Sequence, residues 1–238
     1  MTAAPLLDVQ GLEAGYGKKT VLQGVSFHVG EGEIVAMLGH NGAGKSTTLK
    51  TILGLLPARA GHVRFAGQPW ANGDPGENVR RGIALVPQGR GVFPDLNVQE
   101  NLELGAYAHI EREARVQRIQ EVFELFPILA ERRAQTVGTL SGGQQQMVAV
   151  GMALMQHPKL MMLDEPSIGL APVLVQRVLE TAVQINQRFG TAIVLVEQNI
   201  KTALGIASRA YVMKSGRIVV EKPAAELLAA QDSWWELY

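Results

Sequence analysis

No cysteine occurs among the 238 residues, which excludes disulfides, thiolate catalysis, zinc ribbons and iron–sulfur ligation together. Net charge is missing too. Lys plus Arg number 22 and Asp plus Glu number 22, so the chain does not hold nucleic acid or an anionic membrane through bulk charge. No apolar run approaches the roughly 18 residues that a membrane span needs. The richest stretch, Met147 to Met155, contains a glycine and follows the polar run Gln144-Gln145-Gln146. The N-terminal MTAAPLLDVQ lacks a basic region and a long apolar core, so no signal peptide is expected and a cytosolic placement is favoured. Histidines stand at His28, His40, His62, His109 and His157, without the spacing of a metal site. Neither a 20–50-residue repeat nor a low-complexity segment is visible. What remains is an apolar fraction of 47%, enough to bury a core without staples. At about 150 residues per domain, the length allows one large α/β domain or two small ones.

Hydropathy patterning divides the chain into strands and helices. Leu6 to Leu12 and Val21 to Val29 alternate loosely around Gly-Tyr-Gly, as antiparallel strands joined by a turn do. Glu33 to Leu38 is a short apolar run ending in glycines, which predicts a buried strand. Leu49, Ile52, Leu53 and Leu56 then follow helical spacing, with a stop near Pro57. Short strands and turns fill residues 60–86, with a helical turn offered by Val79 to Arg81. From Val98 to about Arg133 the spacing is helical (Ile119, Val122, Phe123, Phe126). Leu160–Leu163 and Ala192–Val196 predict two more buried strands, with a helix over Pro172–Arg188 between them. This alternation predicts a mainly parallel sheet, and the polar helical block reads as a subdomain set into its connections.

Gly39-His40-Asn41-Gly42-Ala43-Gly44-Lys45-Ser46 matches G-x-x-x-x-G-K-[ST] between a predicted strand and a predicted helix. Glycines let backbone N–H groups turn inward around phosphate oxygens, and the helix start adds partial positive charge. In this motif the lysine, Lys45, reaches the β- and γ-phosphates, and the Ser46 hydroxyl ligates Mg²⁺. His40 is read as contributing backbone alone, because the x positions of such loops point away. Leu160-Met161-Met162-Leu163-Asp164-Glu165 is an apolar strand ending in two carboxylates. That places Asp164 beside the Mg²⁺ and Glu165 where it can polarise a water in line with the γ-phosphate. Leu140-Ser141-Gly142-Gly143-Gln144 offers a second anion-binding helix start. One phosphate site does not need two, so two copies would each complete the other's site across sandwiched nucleotide.

These ordered motifs resemble the ATP-binding cassette (ABC) family over essentially the whole chain. The resemblance implies an α/β P-loop NTPase cassette: a mainly parallel sheet core, an antiparallel β subdomain and an inserted helical subdomain at about 97–158, all within one ATPase domain spanning 1–238. It implies binding of ATP and Mg²⁺ by Gly39, His40, Asn41, Gly42, Ala43, Gly44, Lys45, Ser46 and Thr47. Tyr16 matches the aromatic that stacks on adenine. Gln88 in Val-Pro-Gln matches the glutamine that senses Mg²⁺ and γ-phosphate and faces the membrane partner. Ser141, Gly142, Gly143 and Gln144 match the signature, Asp164 the Mg²⁺-binding acid, Glu165 the catalytic carboxylate.

Two positions depart from the family pattern. Ser167-Ile168-Gly169-Leu170 is followed by Ala171 in place of aspartate, and Gln198 stands where a switch histidine is expected. Glutamine can donate to a γ-phosphate oxygen but cannot become cationic, which implies slower hydrolysis or greater reliance on Glu165. Gly-Leu-Ala-Pro, Val-Glu-Gln-Asn and Pro-Gln-Gly-Arg-Gly-Val-Phe-Pro resemble the smaller ATPase subunit of branched-chain amino-acid importers (LivF type). The ATPase of urea and short-chain amide importers shares most of these features and remains the alternative. A soluble ABC ATPase acting on nucleic acid or ribosomes is the reading of another class. It is disfavoured by the neutral charge, by the 96 residues between Lys45 and Ser141, and by the single cassette.

The implied partners are a second cassette ATPase, two integral-membrane permeases docking near Gln88 to Pro94 and, indirectly, a periplasmic or extracellular solute-binding protein, with no nucleic acid. A heterodimer with a histidine-bearing relative is expected, peripheral on the cytoplasmic face of the membrane. Trp234-Trp235-Glu236-Leu237-Tyr238 is read as packing on its own domain.

Overall fold

The computed structural model describes residues 4–89, 91–106 and 112–229. Met1 to Ala3 of the N-terminal reading, Arg90 of the Pro-Gln-Gly-Arg segment and the Trp234–Tyr238 tail lie outside the described residues.

Two sheets share the chain. The smaller is antiparallel, ordered β2-β1-β4-β5 from β1 (Leu7–Tyr16), β2 (Lys19–Val29), β4 (Ala60–Phe65) and β5 (Gln68–Pro69). Its β1 is longer than its alternation suggested. Register shifts between Val9 and Leu12 and between Ala14 and Gly15 break the two-residue period, which hides the strand from pattern reading.

The larger sheet is ordered β10-β9-β3-β8-β7-β6. It is built from β3 (Ile34–Leu38), β6 (Ile83–Val86), β7 (Leu160–Asp164), β8 (Ala192–Val196), β9 (Arg209–Lys214) and β10 (Arg217–Pro223). From β9 to β6 the neighbours are parallel, and β10 folds back antiparallel as an edge. Every residue of β3, β7 and β8 is buried, which is why these strands read as continuous apolar runs instead of alternating ones.

Helices cover both faces. α1 (Lys45–Leu53) stops at Gly54, whose φ of 93° suits glycine. Leu56 therefore lies past the helix end, where it still packs against the core under the antiparallel sheet. α2 (Pro75–Arg80) is capped by Asp74. α3 (Val98–Gly105), α4 (Arg112–Leu125), α5 (Pro127–Glu131) and α6 (Gly142–Leu154) form the helical block. Its Val98, Leu102, Val122 and Val148 pack in one core with Val86, Leu163 and Leu195 of the large sheet. α7 (Pro172–Phe189) buries Val178, Leu179, Ala182 and Ile185, one face at spacings of one, three and three. Each large aliphatic side chain so buried contributes about 1.5–3 kcal/mol. α8 (Ile200–Leu204) and α9 (Ala224–Ala229) close the far edge.

Strand register sets up the functional end. Met37 pairs with Val196, Val196 with Asp164 and Leu163 with Val86. The loops leaving β3, β6, β7 and β8 therefore start level, on the carboxyl edge where parallel sheets bind ligands. Among the described residues no helix is long and apolar enough to cross a membrane.

Candidate nucleotide site

β3 delivers the chain to Gly39, where a Cβ would lie 2.5 Å from the Met213 carbonyl oxygen. Only glycine fits there. The loop that follows is braced by Ala43 N–H donating to His40 O at 3.1 Å and by Gly216 N–H donating to Ala43 O at 2.8 Å. Gly44, at φ 110°, begins α1 with no side-chain cap, and the first turn carries no acid. The opening N–H groups of α1 are thus left for an outside anion, and the helix dipole favours one.

Lys45 is buried, and its ammonium donates to Gly39 O at 2.7 Å and His40 O at 3.1 Å. The same nitrogen lies 3.7 Å from Glu165 Oε1. Burial pulls this ammonium below its ordinary pKa, while the carboxylates of Glu165, Asp164 and Glu197 oppose the shift. His40, Asn41 and Gly42 are exposed, whereas Ala43 and Thr47 are buried. His40 offers its carbonyl to the loop and to Lys45.

Ser46 Oγ donates to Asp164 Oδ1 at 2.9 Å, across 118 positions of sequence. Asp164 is 3% exposed. Burial raises its carboxyl above the usual range and the Glu165 charge adds to this, against the Ser46 hydrogen bond. Glu165 is also buried and adopts φ 49°, a left-handed conformation uncommon outside glycine. Its Oε2 accepts from Gln88 Nε2 at 3.0 Å and from Gln198 Nε2 at 2.7 Å. Such backbone strain persists only where the surroundings over-determine it, and it clusters at active sites.

The structure therefore gathers the loop of Gly39 to Ser46 with Gln88, Asp164, Glu165 and Gln198. Tyr16 and the signature sit on other elements. Tyr16 is half-exposed at the end of β1, paired with Lys19. Ser141 caps α6 in a reciprocal box with Gln144: Ser141 N–H donates to Gln144 Oε1 at 3.0 Å, and Ser141 Oγ accepts from Gln144 N–H at 3.4 Å. Gly142 is half-buried and Gly143 is buried.

Two residues escaped the sequence reading. Arg59 donates to Gly17 O at 2.7 Å and to Thr20 Oγ1 at 3.2 Å, bracing the turn that carries Tyr16. Nothing local to Arg59 signals this. Glu197 is 3% exposed beside the site. Its signal was present, because Ala192–Val196 followed by an acid repeats the pattern of Leu160–Leu163 followed by Asp164.

Mg²⁺ chemistry suits these donors. Ser46 and Asp164 present hard oxygens in contact with each other. Among the described residues no group of three or more His, Cys, Asp or Glu forms a metal cage. A cation that keeps waters and leans on substrate phosphates matches one carboxylate and one hydroxyl. A hollow of about 290 Å³ lies instead beyond the other end of the sheet, lined by Leu6, Arg118, His157 and Phe189 among others. None of the predicted site residues lines it.

The family model described as ABC transporter matches residues 22–168. The high-affinity branched-chain amino acid transport ATP-binding protein BraG of Pseudomonas aeruginosa is 46% identical over 223 residues, covering 94% of this chain and 95% of that protein. A probable branched-chain amino acid transport ATP-binding protein LivF of Archaeoglobus fulgidus is 37% identical over 217 residues, 91% and 92% of the two chains. Among solved structures, the ADP conformation of an ATP-binding cassette of an ABC transporter superposes with TM-score 0.87 at 27% identity, covering 99% of each chain. A dimeric post-hydrolysis cassette bound to ADP and Pi superposes with TM-score 0.79 at 26% identity, covering 92% of this chain and 98% of that one.

Proposed function

The chain belongs to the ABC transporter family as a cassette ATPase, and on that premise we propose that it powers a branched-chain amino-acid importer whose permeases are separate membrane proteins. Two relatives named for branched-chain amino acid transport, at 46% and 37% identity over nearly the full chain, support that solute class over urea and short-chain amides. The observation that carries the chemistry is the meeting of the two carboxyl-edge motifs: Ser46 with Asp164 at 2.9 Å, and Lys45 with Glu165 at 3.7 Å.

Hydrolysis follows from the same groups. Loop N–H groups from Gly39 to Ser46, with Thr47 on the first turn of α1, bind the phosphates. Lys45 exchanges the carbonyls of Gly39 and His40 for β- and γ-phosphate oxygens. Ser46 and Asp164 would hold Mg²⁺, with Gln88 beside them, and the ion would supply charge neutralisation to the phosphates. Glu165 orients the attacking water and takes its proton. Gln198 donates to the γ-phosphate in place of a cationic histidine. Tyr16 stacks on adenine.

The site is completed in trans by Ser141, Gly142, Gly143 and Gln144 of a second cassette, whose helix start faces the γ-phosphate. The dimeric cassette among the structural neighbours supports the pairing of two cassettes. Gln198 favours a heterodimer with a relative that keeps the histidine. The helical block at about 97–158 carries the signature as a subdomain, and the half-buried to exposed surface near Gln88 and Val92 to Pro94 receives the permeases. Localisation is then peripheral, at the cytoplasmic face.

The test is ATP turnover of the purified assembly with its binding protein loaded by leucine, by urea or by nothing. Stimulation by leucine but not urea, abolished by Lys45→Ala, is the expected result. Stimulation by urea alone refutes the solute assignment, and unchanged turnover in Lys45→Ala refutes the cradle.

A further inference from the structure

Beyond β7 the chain turns sharply through Glu165, Pro166 and Ser167 to Leu170. Four hydrogen bonds hold this turn. Glu165 N–H donates to Val196 O at 2.9 Å, Ile168 N–H to Glu165 O at 3.2 Å and Leu170 N–H to Ser167 O at 3.1 Å. The fourth, Ser167 N–H to Glu197 Oε1 at 3.1 Å, is the one in which a side chain is the acceptor. Pro166 has no N–H, so Ser167 offers the next backbone donor after Glu165. β7 and β8 pair through Asp164 and Val196, and past that register the Glu197 carboxylate stands in for the missing ladder acceptor.

The residue type matters here. Oε2 of Glu197 accepts from Gln198 N–H at 3.2 Å while Oε1 serves Ser167. Two backbone donors need two acceptor oxygens. A carboxylate supplies both, whereas an amide supplies one acceptor and one clashing donor. The group is 3% exposed, and burying a charge without such partners is costly. One side chain thus links the turn after Glu165 to the segment that begins with Gln198. Glu165 itself holds a left-handed φ of 49°, a conformation that lasts only when its neighbours enforce it.

We propose that Glu197 is a positioning residue for ATP hydrolysis, fixing the Ser167–Leu170 turn against the Gln198 segment so that Glu165 keeps its working conformation. The proposal rests on the ATPase reading of the site. Glu197 acts through the N–H groups of Ser167 and Gln198.

The experiment measures kcat, KM and ATP affinity in the intact transporter assembly for wild type, Glu197→Ala, Glu197→Asp and Glu197→Gln. Glu197→Asp keeps the charge but withdraws the oxygens by one methylene, and it serves where the alanine variant fails to fold. Glu197→Gln keeps an acceptor for Ser167 but turns its amide N–H toward the Gln198 N–H, so it holds one of the two bonds. Misplacement of this order is expected to cut kcat about tenfold or more in the Ala and Asp variants. KM and ATP affinity should stay within about twofold, and Glu197→Gln, which keeps one of the two bonds, should turn over at a rate between those of wild type and Glu197→Ala. Wild-type kcat in Glu197→Asp overturns the proposal, as does equal loss of kcat and ATP affinity, or a glutamine variant as slow as alanine. Absence of hydrolysis in the wild-type assembly, matched by Lys45→Ala, overturns the site reading and this inference with it.

Discussion

Gln198 Nε2 donates to Glu165 Oε2 at 2.7 Å, so the residue that replaces the switch histidine bonds directly to the proposed catalytic carboxylate. Gln88 Nε2 occupies the same oxygen at 3.0 Å, and Lys45 stands 3.7 Å from the other. Two amide donors thus share one oxygen of the carboxylate, and an ammonium faces the other. On the proposed function, a γ-phosphate would offer all three donors a more negative target and free Glu165. The proposed function thus gives Gln198 two tasks: holding the base through this bond and donating to phosphate in the transition state.

Removal of that amide tests both tasks. Gln198→Ala should lower kcat about tenfold or more, by loss of one aimed donor, while ATP affinity is retained. Gln198→His keeps a donor and adds a group that titrates near about pH 6.5. Its kcat should rise, relative to wild type, as pH falls through that value and the ring gains charge beside the γ-phosphate. A variant-to-wild-type ratio that is flat with pH would show that residue 198 does not meet the phosphate.

Asp164 should trade stability for function. Its carboxyl is raised by burial and by Glu165, so keeping it charged at neutral pH costs folding free energy. Asp164→Asn retains an acceptor for Ser46 and sheds the charge. Its nucleotide-free unfolding temperature should rise by about 2–4 °C for each kcal/mol relieved. Hydrolysis should disappear, together with the extra stabilisation that Mg²⁺ adds to ATP. A lowered unfolding temperature would contradict the burial argument.

Ala171 leaves α7 uncapped. It occupies the N-cap position at φ −65° and ψ 149°, before Pro172, with no side-chain hydrogen bond to the helix. That backbone is the one a capping residue adopts. Ala171→Asp should accept a first-turn N–H and stabilise the chain by about 1 kcal/mol. Urea unfolding should show a higher midpoint at an unchanged slope; a slope change would point to a different effect.

Glu33 and Arg209 give the chain an acid-sensitive tie. Arg209 Nη2 donates to both Glu33 oxygens at 2.8 and 2.7 Å, and Gly30 N–H adds a third bond at 2.7 Å. Burial pushes the Glu33 carboxyl up, but the hydrogen bonds and the Arg209 charge outweigh it, leaving the group below 4.5. A depressed carboxyl stabilises above its unfolded value and loses that contribution as pH falls through the folded one. Glu33→Gln should therefore cost about 1–3 kcal/mol at pH 7. The gap to wild type, read by urea unfolding, should close as pH is lowered from 4.5. A gap that persists in acid would assign the loss to packing.

Local pattern carried much of this molecule. Gly39 to Ser46 between an apolar run and a helical one, the apolar run ending in Asp164 and Glu165, and Leu140 to Gln144 are each readable because adjacent residues do the work. The fully buried runs at Ile34–Leu38, Leu160–Asp164 and Ala192–Val196 betrayed a parallel sheet for the same reason. Less legible were β1, whose shifted register breaks the alternation, and the end of α1, where Gly54 and not Pro57 stops the helix. Arg59 and Glu197 meet their partners across 42 and 30 positions, distances over which no periodicity speaks.

The absence of cysteine, net charge and membrane-length apolar runs, together with the ordered motifs, determined by sequence alone what kind of chemistry this chain supports. Those features depend on residue type and near-neighbour spacing, which a linear text preserves. Only the tertiary structure decided that Ser46 meets Asp164, that Gln88 and Gln198 converge on one oxygen of Glu165, and that Glu197 anchors Ser167. These are products of strand order and register, with β8 between β3 and β7 and Met37, Val196 and Asp164 in line. Sheet pairing is settled by packing of the whole core, and only then do the loops at the strand ends share one place.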